Sequence, residues 1–277
     1  MLDGELLDEW MGRYPELPTH DPQRILIVMA GNIPLVGMFD LVCVLMAGHH
    51  AVVKPSHKDR VLMEWIIETL LDIDPSTPIN IYSGSEEIDR VIATGGDAAL
   101  AHFQNSYADK PTLLRGARYS AALITHRTSQ SEMGLLAEDI YSYSGLGCRN
   151  VSLLFVPRDM TLPEIPHDAI SPHPKYMNNY RQCRAIYTLS AVEFHDTGIS
   201  CLVEGDHFPT SPSTITIVRY TTIEDVEQWL LAHDKEVQCV VTDTQKTDHP
   251  RCVAFGHSQS PTLTDYADGV DTMEFLS

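Results

Sequence analysis

Residues 24–54 read RILIVMAGNIPLVGMFDLVCVLMAGHHAVVK, and this stretch decides the class of fold. The continuous apolar run at 24–30 is typical of a strand that is buried on both faces. A turn at 31–34 precedes a buried helical pattern at 35–47, which a glycine closes, and a second apolar strand follows at 51–54. Strand, helix and strand in this order predict one βαβ unit of a parallel sheet.

The same alternation continues along the first half of the chain. The pattern predicts further helices at 59–71 and 98–107 and further strands at 79–82, 90–93 and 120–125. Parallel sheets of this kind bind ligands at the carboxyl ends of their strands, where the connecting loops converge. We therefore predict a Rossmann-type, dinucleotide-binding domain at residues 1–134.

The second half of the chain predicts another α/β unit. Its strands are expected at 151–156, 199–203, 214–220 and 237–242, and its helices at 131–143, 175–189 and 223–233. We expect this unit to be a catalytic domain at residues 135–255. The remaining residues, 256–277, are expected to form a C-terminal tail that returns to the domain interface.

Composition excludes several classes of protein. The chain has 277 residues, of which 43% are hydrophobic and 21% are charged, as in an ordinary soluble protein. Its net charge of −19 argues against nucleic-acid binding. No apolar run approaches the roughly 20 residues of a membrane span, and the acidic start is unlike a signal peptide. Six cysteines without a CxxC pair favour a reducing compartment, so we expect a cytoplasmic protein.

One cysteine has the sequence context of a nucleophile. Residues 144–149 read Ser-Gly-Leu-Gly-Cys-Arg, between a helical pattern and an apolar strand. Small neighbours leave Cys148 open to a substrate, and Arg149 places positive charge next to the sulfur, which favours the reactive thiolate. The alternative for any single cysteine is a small buried hydrophobic residue, and the five other cysteines lack the context of Cys148.

Five short motifs occur along the chain in a characteristic order. They are GNIP at 31–34, AVVKPS at 51–56, INIYSG at 79–84, ATGG at 93–96 and GLGC at 145–148. In order and approximate spacing they resemble the aldehyde dehydrogenase superfamily, whose fold is α/β. Within it, the stretches from Tyr143 to Pro157 and from Phe255 to Leu276 are most similar to acyl-CoA reductases of the LuxC type. These enzymes reduce fatty acyl thioesters to aldehydes.

The resemblance implies two catalytic residues. Cys148 would be the nucleophile, which exchanges with an acyl thioester to form an acyl-enzyme. Asn32 would hold the developing oxyanion together with the backbone N–H of Cys148. From the local sequence alone, Asn32 could instead form a turn or cap a helix before Pro34.

The resemblance also implies cofactor-binding residues. Lys54, with Ser56 in the same motif, would bind the adenosine ribose of a nicotinamide dinucleotide. Thr94, Gly95 and Gly96 would form the turn that faces its phosphates. Without the family pattern, Lys54 could be an exposed lysine at a strand end, and the Thr-Gly-Gly segment could be an ordinary turn.

Three departures from the family pattern bear on the chemistry. Acid-forming members carry a glutamate base in a Glu-Leu-Gly-Gly segment, whereas residues 113–122 contain no carboxylate. Without this base the acyl-enzyme should hydrolyse slowly. His57 stands where many NAD-preferring members have an acidic residue, so we expect NADPH, with NADH as the other possible cofactor. The glutamate that orients the nicotinamide ribose has no counterpart near 208–212, and Glu204 is a poor candidate.

These observations predict an NAD(P)H-dependent acyl-CoA reductase that converts a long-chain acyl thioester into an aldehyde. The substrate would be an acyl-CoA or an acyl-protein thioester, and a homodimer is possible by analogy. Two alternatives stay open: a non-catalytic or partner-dependent subunit of the same fold that binds a nucleotide or an acyl group, and an acid-forming aldehyde dehydrogenase. The first is favoured by the short region before Arg24, where the chain is either truncated or naturally short. His49 and His50 have no ligand at metal-binding spacing, so no metal is predicted.

Overall fold

The computed structural model describes residues 3–162, 164–167, 170–243, 247 and 249–277. Two compact units are present. The first contains the residues up to Ala117 together with Thr262–Ser277, and the second is Arg118–Pro261. Each unit is built around its own sheet of predominantly parallel strands.

The first unit contains a five-stranded parallel sheet. Its strands are β1 (Arg24–Val28), β2 (His50–Lys54), β3 (Ile79–Ile81), β4 (Arg90–Thr94) and β5 (Thr112–Arg115). They lie in the order β3-β2-β1-β4-β5. The chain therefore moves outward from β1 to β3 and then returns to place β4 on the other side of β1. This reversal creates a switch point at the carboxyl ends of β1 and β4, where open sheets bind ligands.

Both faces of this sheet are covered. The helices of the unit are α1 (Gly4–Met11), α2 (Met38–Met46), α3 (Arg60–Ile73), α4 (Asp97–Ser106) and, after the second unit, α8 (Thr272–Leu276). Ile25 and Ile27 of β1 belong to the hydrophobic cluster that includes α2, whereas Leu26 and Val28 belong to a second cluster that Phe103 of α4 covers. The apolar run in β1 is continuous because neither of its faces meets solvent.

Polar contacts attach the C-terminal segment to the first unit. Buried His49 accepts a backbone N–H with Nδ1 and therefore donates from Nε2 to the carbonyl oxygen of Leu276, at 2.7 Å. Arg115 forms a buried ion pair with Asp40. Arg115 also donates to Thr272 Oγ1 at 2.7 Å. The helix α8 is thereby fixed against β5 and α2.

The second unit contains a seven-stranded sheet. Its strands are β6 (Tyr119–Leu123), β7 (Val151–Pro157), β8 (His195–Asp196), β9 (Cys201–Glu204), β10 (Thr214–Tyr220), β11 (Val237–Val241) and β12 (Cys252–Val253). They lie in the order β12-β11-β6-β7-β10-β9-β8, with only the short edge strand β8 antiparallel to its neighbour among the described strands. The helices are α5 (Gln130–Tyr141), α6 (Pro174–Leu189) and α7 (Ile223–Ala232). In the part of the chain that the structure describes, no helix combines the length and apolar character needed to cross a bilayer.

The unit boundaries differ from those expected from the sequence pattern. The first unit ends at Ala117 rather than at residue 134, because β6 pairs with β7 and β11 in the second sheet. The second unit reaches Pro261 rather than residue 255, and 262–277 complete the first unit. The return of the tail to a domain interface stays a prediction.

Candidate active site

Cys148 lies in the second unit, in the connection between α5 and β7. A short 3-10 helix at 142–145 follows α5, and a tight turn at 147–150 leads into β7. Of the six cysteines, all of which are described residues, Cys148 is the one that is exposed. The structure therefore places this thiol on an accessible turn between a helix and a buried strand.

One residue closes the turn that carries Cys148. The backbone N–H of Asn150 donates to the carbonyl oxygen of Gly147 at 3.0 Å. The side-chain Oδ1 of Asn150 accepts the N–H of Gly147 at 2.8 Å. Cys148 therefore occupies a corner of a four-residue turn whose ends are hydrogen-bonded twice. This arrangement holds the Gly147–Cys148 peptide, and with it the N–H of Cys148, in one orientation.

A second contact reaches the turn from strand β6. Ser120 Oγ donates to the carbonyl oxygen of Cys148 at 2.9 Å. Because this uses the single hydroxyl hydrogen, the thiol of Cys239 is the donor in its 3.1 Å contact with the same oxygen. Burial raises the pKa of Cys239, which keeps its thiol protonated. The pairings of β6 with β7 and with β11 both shift register beside Ser120, and such irregularities re-aim side chains near active sites.

The segment just before the turn is strained. Tyr143, Ser144 and Gly145 have φ angles of 50°, 55° and 66°, so three consecutive residues adopt the left-handed conformation. For the two non-glycine residues this costs about 1–2 kcal/mol each. A Cβ on residue 145 would lie 3.1 Å from the carbonyl oxygen of Pro212, so glycine avoids a tight contact at this position. Strain of this kind persists where the surrounding structure enforces it, which is common at functional sites.

The other predicted site residues lie in the first unit, at one edge of its sheet. Asn32 follows β1, Lys54 ends β2, Ser56 follows it, and Thr94–Gly96 lie at the end of β4. Because β2, β1 and β4 are adjacent and parallel, their carboxyl ends meet at the switch point. The structure therefore brings these residues to one edge, whereas Cys148 belongs to the other unit. That the two sets face a common cleft stays a prediction.

The loops after β1 and β2 pack closely against each other. A Cβ on Gly31 would lie 2.4 Å from Ser56 Oγ, so glycine permits this approach. Asp59 Oδ2 accepts the N–H of Leu35 at 2.7 Å and joins the same two loops. Asn32 is exposed on this supported loop. The loop that carries Asn32 is therefore held against the loop after β2.

The residues at this edge fit a dinucleotide. The N-cap residue of α4 is Gly96, which has no side chain to satisfy the first N–H groups of the helix. A Cβ on Gly96 would meet no heavy atom within 4 Å, so the space beside it is open. An open helix N-terminus after a parallel strand suits a phosphate group. At the end of β2, Lys54 is an exposed cation whose Nζ lies 5.6 Å from the centre of the Tyr82 ring.

Comparison with models of protein families identifies the family to which the chain belongs. The model of the acyl-CoA reductase (LuxC) family matches residues 3–171, more than half of the chain. The chain belongs to the LuxC family. The matched region includes the Cys148 turn and the predicted residues of the first sheet edge. The predicted family is confirmed.

Solved structures similar to this LuxC-family chain include aldehyde dehydrogenases. The Mycobacterium tuberculosis enzyme complexed with NAD+ has 17% identity and a TM-score of 0.61, over 80% of this chain and 58% of that chain. The Bacillus cereus enzyme in complex with NAD+ has 14% identity and a TM-score of 0.61, over 81% and 56%. Betaine aldehyde dehydrogenase from Staphylococcus aureus has 14% identity and a TM-score of 0.58, over 80% and 56%.

At these identities the similarity shows the fold alone, and it confirms the predicted α/β fold of the aldehyde dehydrogenase type. The LuxC-family chain spans somewhat more than half the length of these enzymes. No curated protein matches its sequence.

Two residues that hold the Cys148 turn were not predicted from the LuxC-like motifs. An asparagine at the end of a glycine-rich turn is a recognised local signal, so Asn150 could have been proposed from sequence. Ser120 could not, because its contact with Cys148 depends on the pairing of β6 with β7.

Glu204 and His50, which were considered from the sequence as candidates for other sites, each contact a side chain of their own unit. Glu204 at the end of β9 forms an ion pair with Arg219 at 3.0 Å. His50 Nε2 lies 2.8 Å from Asn80 Oδ1, within the first sheet. Within the described ranges, no three His, Cys, Asp or Glu side chains come together as metal ligands. Glu204 and His50 therefore each have a partner on a neighbouring strand of their own sheet.

Proposed function

We propose that this chain is an NAD(P)H-dependent acyl-CoA reductase, which converts a long-chain acyl thioester into an aldehyde. The observation that carries the proposal is the exposed thiol of Cys148 on a turn held by Asn150 and Ser120. Membership of the LuxC family and the aldehyde dehydrogenase fold support this class of reaction. The substrate would be an acyl-CoA or an acyl-protein thioester.

The first step is transfer of the acyl group to the enzyme. The Cys148 thiolate attacks the thioester carbonyl and forms a new C–S bond. The backbone N–H of Cys148 and the amide of Asn32 stabilise the negative charge on the carbonyl oxygen. The tetrahedral adduct then collapses, the C–S bond to CoA breaks, and CoA leaves as a thiolate that takes up a proton from solvent. The acyl group is now a thioester of Cys148 at an unchanged oxidation level.

The second step is reduction of the acyl-enzyme, for which the cofactor would bind at the carboxyl edge of the first sheet. Thr94, Gly95 and Gly96 would bind the phosphates at the N-terminus of α4, and Lys54 and Ser56 would bind the adenosine ribose. A reduced nicotinamide dinucleotide held there, NADPH in our proposal, would supply a hydride to the carbonyl carbon of the Cys148 thioester. The sulfur of Cys148 leaves the reduced carbon as a thiolate, which releases the aldehyde and restores the nucleophile.

An acid-forming dehydrogenase is less well supported. It needs a base that activates water, and residues 113–122, where related enzymes carry a glutamate, contain no carboxylate. In that segment Arg115 instead pairs with Asp40 in the core of the first unit. A non-catalytic subunit of the same fold is distinguished by the following experiment.

Replacing the nucleophile tests the proposal. Cys148→Ala is expected to abolish NADPH-dependent aldehyde formation from long-chain acyl-CoA, because the acyl group has no other acceptor. NADP binding, measured by calorimetry, should be retained. Cys252→Ala is the matched control: it removes a partly buried cysteine of the same unit and should leave turnover unchanged.

The possible results separate the alternatives. Turnover that survives Cys148→Ala contradicts the assigned nucleophile. A wild-type protein that binds NADP but forms neither aldehyde nor acyl-enzyme is a non-catalytic subunit. Steady oxidation of aldehyde to acid without CoA identifies an acid-forming dehydrogenase.

A further inference from the structure

We propose that Asn150 is a positioning residue for acyl transfer: its side chain fixes the turn so that the Cys148 thiol and N–H keep the orientation that the reaction uses. The inference rests on the proposed function and adds a residue that the family resemblance did not assign. Asn150 lies under the turn with 4% of its surface exposed, so it acts through Cys148 rather than on the substrate.

The side chain of Asn150 uses both its acceptor and its donors. Oδ1 accepts the N–H of Gly147 at 2.8 Å. Nδ2 lies within hydrogen-bonding distance of three carbonyl oxygens, those of Asp139 at 3.2 Å, Ile140 at 3.1 Å and Ser142 at 2.7 Å. A primary amide has two N–H groups, so both are engaged at the end of α5.

These contacts couple the turn to the helix that precedes it. The last carbonyl groups of a helix have no partner within the helix, and Asn150 supplies the missing donors. Ser142, which receives the shortest of these hydrogen bonds, begins the segment that contains the left-handed residues at 143–145. One side chain therefore anchors the end of α5, the start of the strained segment and the start of the Cys148 turn.

The Gly147–Cys148 peptide connects this geometry with the chemistry. Its carbonyl oxygen accepts the N–H of Asn150, and its own N–H is the proposed oxyanion donor. A hydrogen bond to the carbonyl polarises the peptide and strengthens the N–H as a donor. Loss of one oxyanion donor lowers kcat by about 10²–10³-fold in well-studied enzymes, so a misdirected N–H should have an effect of similar size.

Asn150→Asp changes the hydrogen bonding with little change in volume. The carboxylate can still accept the N–H of Gly147, but it has no hydrogen to donate and faces the carbonyl oxygens at the end of α5. Protonation restores one O–H donor, so the defect should become smaller as the pH falls. Asn150→Ser is the second variant, because its hydroxyl is too short to bridge the turn and the helix and it adds no charge near Cys148.

Thr222→Ala controls for lost stability. It removes the N-cap of α7, where Thr222 Oγ1 accepts the N–H of Asp225 at 3.3 Å, and it does not touch the Cys148 turn. Capping residues contribute measurably to helix stability, so this variant should unfold at a lower denaturant concentration. Its acyl transfer should equal that of the wild type.

Four quantities are measured for each protein: the midpoint of urea unfolding, the rate of acyl transfer at saturating long-chain acyl-CoA, the half-saturating concentration, and the rate of Cys148 alkylation by iodoacetamide. Alkylation requires the thiolate but no oxyanion donor. We expect Asn150→Asp to lower acyl transfer by about 10²–10³-fold at neutral pH, with half-saturation nearly unchanged and with partial recovery at lower pH. Alkylation is compared in Asn150→Ser, which adds no charge beside the sulfur, and should be nearly unchanged there.

The outcomes distinguish this inference from the proposed function. If the wild type accepts no acyl group on Cys148, the proposed function fails and the role of Asn150 fails with it. If the wild type is acylated and a folded Asn150 variant is acylated equally fast, the inference alone is wrong. A parallel loss of acyl transfer and alkylation in the uncharged Asn150→Ser also overturns it, because Asn150 would then merely stabilise the turn.

Discussion

At the scale of single residues, exposure separates Cys148 from the other cysteines. Desolvation by burial raises the pKa of Cys201 and of Cys252 to about 11 each. Burial also raises the pKa of Cys43 and of Cys239. A protonated buried thiol is a poor nucleophile, so these cysteines do not compete for an acyl group. The exposure of Cys148 agrees with the small residues that precede it in the sequence, whereas its role as the nucleophile stays a prediction.

Cofactor choice also belongs to the scale of residues. His57 and Lys58 are exposed after β2 and present no carboxylate to a 2′-phosphate. The carboxylate of Glu86, beyond the end of β3, is held by its own loop. Desolvation alone would raise the pKa of Glu86, but backbone N–H groups, among them those of Ser83 and Gly84, lower it to about 2.

We predict a higher kcat/KM with NADPH than with NADH, because His57 and Lys58 stand where a carboxylate would repel the additional phosphate. Lys58→Ala should reduce this preference, whereas Lys110→Ala, which changes a lysine of the same unit beyond α4, should preserve it. Initial rates with both cofactors measure the ratio. A higher kcat/KM with NADH would contradict the assignment of NADPH.

At the scale of elements, Asp139 ties α5 to the segment at 256–258. Its Oδ2 accepts the N–H of Gly256 at 2.7 Å, and its Oδ1 accepts the N–H of Ser258 at 3.0 Å. Burial raises the pKa of this carboxyl above its usual value of 3.8, although the N–H donors oppose the shift. The folded state therefore holds the proton more tightly than the unfolded state.

This raised pKa predicts the direction of a pH effect. The stability that Asp139 gains from its bound proton is fully present below pH 3.8 and is lost as the pH rises through the higher pKa of the folded state. The amide of Asp139→Asn does not titrate, so this variant lacks the effect. We therefore expect the difference in unfolding free energy, wild type minus Asp139→Asn, to fall as the pH rises through the pKa of Asp139 in the folded state. Urea unfolding of both proteins at a series of pH values measures it. A constant or rising difference would contradict the prediction, because it would show that burial does not outweigh the N–H donors in setting the pKa of Asp139.

Helix ends were predicted less well than buried strands. The strand predicted at 214–220 has the same bounds in the structure, and most of its residues are β-branched or aromatic, the types that favour strands. The helix predicted at 35–47 begins only at Met38. Leu35 has a φ of 58° and donates its N–H to the side chain of Asp59, 24 residues away, so the first predicted turn is not helical. A contact over that distance leaves no sign in the local pattern.

At the scale of the whole molecule, the alternation of strands and helices predicted two α/β units. The assignment of elements to units needed the structure. Strand β6 belongs to the second sheet, and α8 belongs to the first unit through the contact of Thr272 with Arg115, 157 residues apart. For the same reason the position of Cys148 could be predicted from its neighbours, whereas the support from Ser120 could not.

The intact mass of the protein after mixing with long-chain acyl-CoA, without cofactor, shows whether Cys148 accepts the acyl group. We predict the addition of one acyl group, located on the peptide that contains Cys148, and its release as aldehyde when NADPH is added. No adduct, or an adduct on another cysteine that NADPH releases as aldehyde, would contradict the claim that Cys148 carries the acyl group.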